Sequence, residues 1–286
     1  MKVSKQRAAR WISVLAAWLL SLLAVLLTLV LLVDTTLCSV DFLKKQIGAS
    51  GFAALAAEEL RDNYVSYGAA GGFPAEVMEG FVSAEEISAG IAGSAEALYA
   101  QGVESPQYPE REQAVYDALA AYVAGTGNAL SEESAKGVKT LAAICRTDFE
   151  DKVTIPFLGY LRPMLVLVSS KVWLIAGCLA VSMVLALWLL FTLNRPRRAA
   201  AYVSQAFIAA AVCGALVPLS VKALLPRGQL IISPESLRVL IERYLDGVLG
   251  SMWPFVIILA LLAAICGVLS VLLKGARPKA KRRAAQ

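Results

Sequence analysis

Residues 11–33 read WISVLAAWLLSLLAVLLTLVLLV, an uncharged run of 23 residues that contains ten leucines. An α-helix needs about 20 apolar residues to cross about 30 Å of hydrocarbon. The run therefore predicts a transmembrane helix. It is longer than the about 7–15 apolar residues of a cleaved signal peptide, so we expect it to remain as an anchor.

Three further uncharged runs have a similar length and lie at 172–193, 199–221 and 251–273. Charged residues make up 17% of the chain, against about 25% in soluble domains, and mean hydropathy is +0.65. Within hydrocarbon only helices and closed barrels satisfy their own backbone groups. We therefore predict an all-α polytopic membrane protein with four transmembrane helices and a helical extracytoplasmic domain inserted between helices 1 and 2.

The distribution of charge predicts the orientation. Residues 1–10, 194–198 and 274–286 hold 13 of the 27 cations and none of the 22 acids. Cytoplasmic loops carry an excess of Lys and Arg, so both termini should be cytoplasmic in a plasma membrane. The predicted layout is a cytoplasmic N-terminus (1–10), TM1 (11–33), an extracytoplasmic domain (34–170), TM2 (171–193), a cytoplasmic turn (194–198), TM3 (199–223), an extracytoplasmic helix segment (224–250), TM4 (251–273) and a cytoplasmic tail (274–286).

The large segment 34–170 carries 19 acids and 9 bases and reads as a bundle of about five helices. Ser83 with Glu86 has the spacing of a capping box, and Ser131 and Pro109 are typical of helix starts. Gly68–Gly72 and Gly102 should end helices. The apolar stripes at helical spacing are Phe52, Leu55, Ala56, Leu60, Tyr64 and Tyr67; Ile87, Ile91, Ala95 and Leu98; Val115, Leu119, Tyr122 and Val123; and Val138, Leu141, Cys145 and Phe149.

The segment 224–250 contains the clearest amphipathic helix, with Ser233 as its predicted cap and Pro234 as its first residue. This helix can lie on the outer leaflet or dock on the large domain, and its mixed-sign polar face favours docking. Residues 155–168 predict an interfacial helix that leads into TM2. The apolar face of the amphipathic helix is a candidate partner or interface face and consists of Leu237, Leu240, Ile241, Tyr244, Leu245 and Val248.

Several chemistries are excluded by composition. The chain has no histidine, which removes Ser-His-Asp and Cys-His catalysis and histidine-ligated metals. The five cysteines form no CxxC pair, which argues against zinc ribbons and iron–sulfur clusters. Cys38 and Cys145 are candidates for a disulfide, which would contribute about 4–5 kcal/mol in the chain-entropy model. The other three cysteines lie within predicted spans.

Charged residues near the membrane have simple interpretations. Asp148, Glu150 and Asp151 lack the spacing of a calcium loop and predict a solvated helix end. Lys171 and Lys222 are expected to reach towards the interface rather than to pair with a nearby serine as a nucleophile. No ionisable residue lies near the middle of a span, so ion-coupled transport lacks its usual ligands. We expect no catalytic residue, metal or cofactor.

The arrangement of one span, a large exterior domain and three further spans resembles, in topology, the FtsX-like membrane subunits of cell-division ABC systems. Our leading hypothesis is a non-enzymatic protein of a bacterial cell envelope whose exterior domain binds or positions another envelope component. The alternative is an accessory or permease-like subunit of a transporter or ABC-type assembly, and an enzyme using Arg162, Lys171 and Lys222 is third. Expected partners are membrane lipid and an envelope protein or a second copy, but not nucleic acid, because basic residues beside a span attract anionic lipid. The five-residue turn should pack TM2 and TM3 as an antiparallel pair.

Overall fold

The computed structural model describes the backbone of residues 2–99, 107–127, 131–154, 158–224 and 232–275, and the side chains of 10–99, 107–127, 131–154, 163–224 and 232–273. These ranges contain helices and no strand. In chain order the helices are α1 (Lys2–Thr35), α2 (Val40–Ser50), α3 (Phe52–Ala70), α4 (Ala75–Glu79), α5 (Ala84–Tyr99), α6 (Pro109–Gly125), α7 (Glu132–Val153), α8 (Leu158–Leu193), α9 (Pro196–Leu224) and α10 (Glu235–Gly275).

Within the described residues, four helices are long and apolar enough to cross a membrane, as the sequence predicts. The qualifying stretches are Arg10–Thr35, Pro163–Leu193, Pro196–Leu224 and Glu235–Leu273. The chain divides into two compact units, each described separately below. The membrane unit holds α1, α9 and the apolar parts of α8 and α10, and the helical domain comprises residues 37–168 with 230–245.

Helices α8 and α10 are longer than predicted. They contain 36 and 41 residues, or about 54 Å and about 62 Å at 1.5 Å per residue. From Leu158 onward, the residues predicted as an interfacial helix form the first turns of α8, which runs unbroken through Pro163. The interfacial position of these turns stays a prediction, and residues 155–157 lie outside the described residues. Likewise, α10 runs unbroken through Pro254. A proline inside a helix removes one backbone hydrogen bond, whereas a helix end leaves several backbone groups without partners.

The membrane unit packs around small residues. Helices α1 and α9 pack along each other extensively. Ala186 and Leu190 of α8 belong to the same apolar cluster as Val203 and Ala206 of α9. The antiparallel pairing of TM2 with TM3 stays a prediction. One cluster of buried apolar residues in this unit consists of Ala16, Leu20, Ala24, Ala186, Leu190, Val203, Ala206, Phe207, Ala210, Ala211, Leu259 and Ala263. Alanine lets helix backbones come close, and this matters because lipid removes the hydrophobic drive for association.

Two polar contacts connect helices of the membrane unit. The Asn194 side-chain amide donates to the buried Ser13 hydroxyl over 2.8 Å, next to the start of α9. The Ser204 hydroxyl donates to the Ala263 carbonyl, also over 2.8 Å. A Cβ at Gly267 would lie 3.3 Å from the Ser204 hydroxyl oxygen, so the absence of a side chain there permits this close crossing of α9 and α10.

Local signals in the sequence place most helix starts of the helical domain correctly. The Ser83 hydroxyl accepts from the Glu86 N–H over 3.2 Å at the start of α5. The Ser131 hydroxyl accepts from the Ser134 N–H over 3.1 Å at the start of α7, and Pro109 is the first residue of α6. The predicted helix end at Gly102 lies outside the described residues.

One feature of the domain differs from the prediction, whereas α3 ends within the predicted run Gly68–Gly72. Helix α2 was not predicted, although Ser39 caps it by accepting from the Phe42 N–H. Gly68 does not end α3 but lies buried within it, where a Cβ would lie 2.3 Å from Cγ of Met78. The helix ends at Ala70, and Gly72 follows with a φ of 79°, a left-handed conformation that glycine adopts without strain.

Most residues of the predicted stripes form one continuous core in the helical domain, whereas Tyr122 of the predicted α6 stripe is 37% exposed. Each helix from α2 to α7 contacts at least one other helix of the domain. The buried apolar residues include Ile47, Phe52, Ala56, Leu60, Tyr64, Met78, Ile87, Ile91, Ala95, Val115, Leu119, Val138, Ala142, Cys145, Phe149 and Val153. Amphipathic helices with one apolar face each pack in this way because the bundle removes all of those faces from water.

Candidate functional site

The helical domain contains an apolar cleft of about 160 Å³. An apolar cavity of about 150 Å³ holds a benzene-sized group. Helices α2, α3, α5 and α10 supply the apolar lining of the cleft, and the chain around the end of α7 and the start of α10 supplies a polar side. The lining residues are Leu43, Ile47, Phe52, Ile91, Leu237 and Leu240 on the apolar side, and Asp151, Lys152, Thr154, Pro234 and Ser236 on the other.

A cluster of three polar residues lies beside the cleft. The Glu59 carboxylate of α3 accepts two hydrogen bonds from Ser236, one from its backbone N–H over 3.0 Å and one from its hydroxyl over 2.7 Å. The Lys152 ammonium of α7 donates to the same carboxylate. The side chains of Lys152 and Glu59 are 18% and 26% exposed, so this ion pair is partly shielded from water. We call Glu59, Lys152 and Ser236 the Glu59 cluster.

The Glu59 cluster stabilises the charged carboxylate. Burial by itself would raise the pKa of Glu59, but the hydrogen bond from Lys152, the two from Ser236 and the charge of Lys152 together outweigh it. The net result is a pKa below the ordinary value of 4.5. Glu59 is therefore ionised at neutral pH, and Ser236 bonds to an anion at the start of α10, where the helix dipole favours negative charge.

The predicted interface face of α10 has contacts within the chain. Leu240 packs against the core of the helical domain, and Leu237 lines the cleft. The ring of Tyr244 meets that of Phe42 edge-on, with 5.6 Å between centroids. Leu245 remains 38% exposed. The first turns of α10 are therefore docked on the domain, and the role of the whole face in binding a partner remains a prediction.

A second polar cluster surrounds Arg111 of α6. Its guanidinium lies 3.8 Å above the centre of the Phe149 ring and donates to Glu86 over 2.9 Å and to the Phe81 carbonyl. Tyr108 meets the same ring edge-on, with centroids 5.1 Å apart. These contacts join α5, α6 and α7 around one aromatic ring, which is a stabilising arrangement.

Two tyrosine hydroxyls of α3 donate hydrogen bonds to residues of α7. The buried Tyr64 hydroxyl donates to the Cys145 carbonyl, and that of Tyr67 donates to Asp148 over 2.8 Å. Burial raises the pKa of Tyr64, and the hydrogen bond to Asp148 followed by burial raises that of Tyr67. Both are therefore neutral hydrogen-bond donors at physiological pH.

The two candidate disulfide cysteines are not joined in the structure. Cys145 lies in the buried core, where desolvation and then the charge of Asp148 raise the pKa of its thiol to about 12. A thiol with that pKa is protonated at neutral pH, and the protonated form is a poor nucleophile.

The other charged residues singled out from the sequence have varied surroundings. Glu150 accepts from the Tyr108 N–H over 3.0 Å, and Asp151 borders the cleft. Lys171 and Lys222 are exposed on α8 and α9, and the side chain of Arg162 lies outside those described. Within the described part of the chain, no three Cys, Asp or Glu residues are grouped so that they could hold a metal ion.

No protein-family model, curated protein or solved structure matches this chain.

The Glu59 cluster could not be identified from the sequence because its members are far apart in the chain. Glu59 and Lys152 are separated by 93 residues, and Glu59 and Ser236 by 177. No short motif connects them, and a glutamate on the polar side of a helix resembles an ordinary solvated residue. A partial signal was the mixed-sign polar face of the α10 segment, which favoured docking of that helix on the large domain. It did not indicate which residues of the domain the helix would contact.

Proposed function

We propose that the protein is a non-enzymatic, membrane-anchored component of a bacterial cell envelope whose helical domain lies outside the cytoplasm and binds or positions another envelope component. The observation that carries this proposal is the combination, in one chain, of a folded helical domain with four helices able to cross a membrane. The segregation of 13 cations from all 22 acids supports the exterior placement of the domain.

The cleft supports binding as the role of the domain. Its lining is mainly apolar, and its size suits one apolar group of a partner, such as a leucine or phenylalanine side chain. Such anchors, buried in a pocket and surrounded by polar residues, contribute much of the affinity in protein complexes. The acidic balance of the predicted exterior segment, with 19 acids and 9 bases, favours a partner with a basic surface.

Photo-crosslinking in native membranes tests this proposal. A photoreactive amino acid is placed at Tyr122 or Ile144, which are 37% and 42% exposed on the helical domain, and in a matched control at Leu174, which is 64% exposed on α8. We expect the same protein adduct from both domain positions and lipid adducts from Leu174. Recovery of only lipid or copies of this chain from both domain positions would contradict binding of another envelope protein.

The identity of the adduct separates the leading proposal from the alternative. A nucleotide-binding protein or a channel subunit in the adduct, retained on co-purification, would favour a subunit of a transporter or ABC-type assembly. An envelope protein without those features supports a binding and positioning role.

A further inference from the structure

The start of α10 is held by a residue from another helix. Ser236 is the second residue of α10, and the first N–H groups of a helix have no partners within the helix. Its N–H and its hydroxyl both donate to the Glu59 carboxylate, so Glu59 has the role that a capping side chain usually has from within the same segment. Glu59 therefore both caps α10 and joins it to α3.

We propose that the Glu59 cluster is a latch that holds the first turns of α10 over the apolar cleft and opens when the Glu59 carboxylate is neutralised. Three helices converge on this one side chain, since α3 carries it, α7 supplies Lys152 and α10 supplies Ser236. Protonation makes the two hydrogen bonds from Ser236 neutral, which makes them about half as strong, and it removes the ion pair with Lys152. Opening exposes the cleft residues that Leu237 and Leu240 now flank.

The first turns of α10 make few apolar contacts with the domain, so the hydrogen bonds to Glu59 are a substantial part of what holds them in place. Leu240 packs on the domain core, Leu237 lines the cleft, and Tyr244 meets Phe42 edge-on. The rest of the apolar face of α10 is less buried, and Leu245 is 38% exposed. Local segments with few buried contacts open more readily than the core of a domain.

In any pH experiment, the effect of Glu59 must be distinguished from the effects of other charged groups on the surrounding helices. Asp151 of α7 borders the cleft, and the start of α10 carries Glu235 paired with Arg238. Lys44 of α2 pairs with Glu96 of α5. Glu58 and Asp62 are exposed on α3. Because these charged groups surround Glu59, a variant of Glu59 itself is needed to assign a pH effect to it.

The direction of the pH effect follows from the lowered pKa of Glu59. A carboxylate whose folded pKa lies below its ordinary value of 4.5 contributes stability above that value and loses it as pH falls through the folded pKa. The latch is therefore closed at neutral pH and opens in acid below 4.5. Removal of Lys152 would raise the pKa of Glu59 and move opening to a higher pH.

Hydrogen–deuterium exchange on the full chain in lipid nanodiscs tests the latch. The substitution Glu59→Gln should speed exchange of the amides of residues 237–244 at neutral pH by about tenfold, after correction for intrinsic rates. The matched control Glu58→Gln changes an exposed neighbour on the same helix and should leave exchange unchanged. The amides of residues 87–98 in α5 should keep their protection in both variants.

A pH series provides the second part of the test. The wild-type chain should gain exchange in residues 237–244 as pH falls below 4.5, Lys152→Met should gain it at a higher pH, and Glu59→Gln should show fast exchange at every pH. Unchanged exchange in Glu59→Gln would overturn the proposal. So would an equal loss of protection in α5, because Glu59 would then stabilise the whole domain and not a latch.

Discussion

The substitution Phe149→Ala should lower the free energy of unfolding of the helical domain by about 3–5 kcal/mol. The Phe149 side chain is 2% exposed, and its ring lies beneath the Arg111 guanidinium and against Tyr108. Truncation leaves a cavity and removes both the cation–π contact and the aromatic pair. Since domains are stable by only about 5–15 kcal/mol, this loss is a large fraction of the total.

Urea unfolding of the full chain in detergent micelles, followed by pulse proteolysis, measures this effect. The matched control is Ile144→Ala on the same helix, where the side chain is 42% exposed and the change should stay within about 0.5 kcal/mol. Equal effects of the two substitutions would contradict the assignment of Phe149 to the centre of the domain.

Alanine substitutions of two helical glycines should have opposite effects. At Gly90 of α5 a new Cβ would lie 2.7 Å from Cγ1 of Val153 and 3.2 Å from the Tyr108 hydroxyl oxygen. Val153 is a buried branched residue with little room to move, so Gly90→Ala should destabilise the domain by about 1–3 kcal/mol. This close approach explains why a helix interior keeps a residue of poor helix propensity.

Gly137 of α7 provides the matched case. A Cβ there would meet nothing within 4 Å, and the position is exposed in a helix. Gly137→Ala should therefore stabilise the domain by about 0.5–1 kcal/mol through helix propensity alone. The same urea experiment compares both variants, and stabilisation by Gly90→Ala would show that α5 and α7 do not approach as closely as the structure places them.

Local rules predicted much of the helical architecture. The serine caps at Ser83 and Ser131 and the proline at Pro109 act within four residues, so the sequence carries their full signal. The stripe residues Ile87 and Leu119 are fully buried, as helical spacing predicts. The four apolar spans follow from composition alone, because length and hydropathy suffice to identify them.

The predictions differ from the structure where contacts between distant residues, or the continuation of a helix past its expected end, decide the outcome. Helix α2 was not predicted although Ser39 caps it, because its 11 residues give only a short apolar pattern. The predicted layout began TM2 at 171 and TM4 at 251, but α8 and α10 extend well before these positions and contain Pro163 and Pro254. The packing of α1 along α9 involves small residues in both helices, and no sequence pattern predicted that pair.

The Glu59 cluster lies beyond any local rule. A carboxylate that caps a helix 177 residues later cannot be recognised from spacing, since its neighbours in the chain have no part in the contact. The amphipathic pattern of α10 predicted that the helix needed an apolar surface. The structure adds which surface this is and which polar group holds the helix there.

The most direct test of the proposed arrangement is thiol labelling of intact cells. Two variants of a cysteine-free chain, Glu110→Cys and Arg197→Cys, place one thiol at exposed positions of α6 and of the first turn of α9. A membrane-impermeant maleimide should label Glu110→Cys in intact cells and Arg197→Cys only after permeabilisation, because cations are retained on the cytoplasmic side. Labelling of Arg197→Cys in intact cells, with Glu110→Cys protected, would contradict the exterior placement of the helical domain.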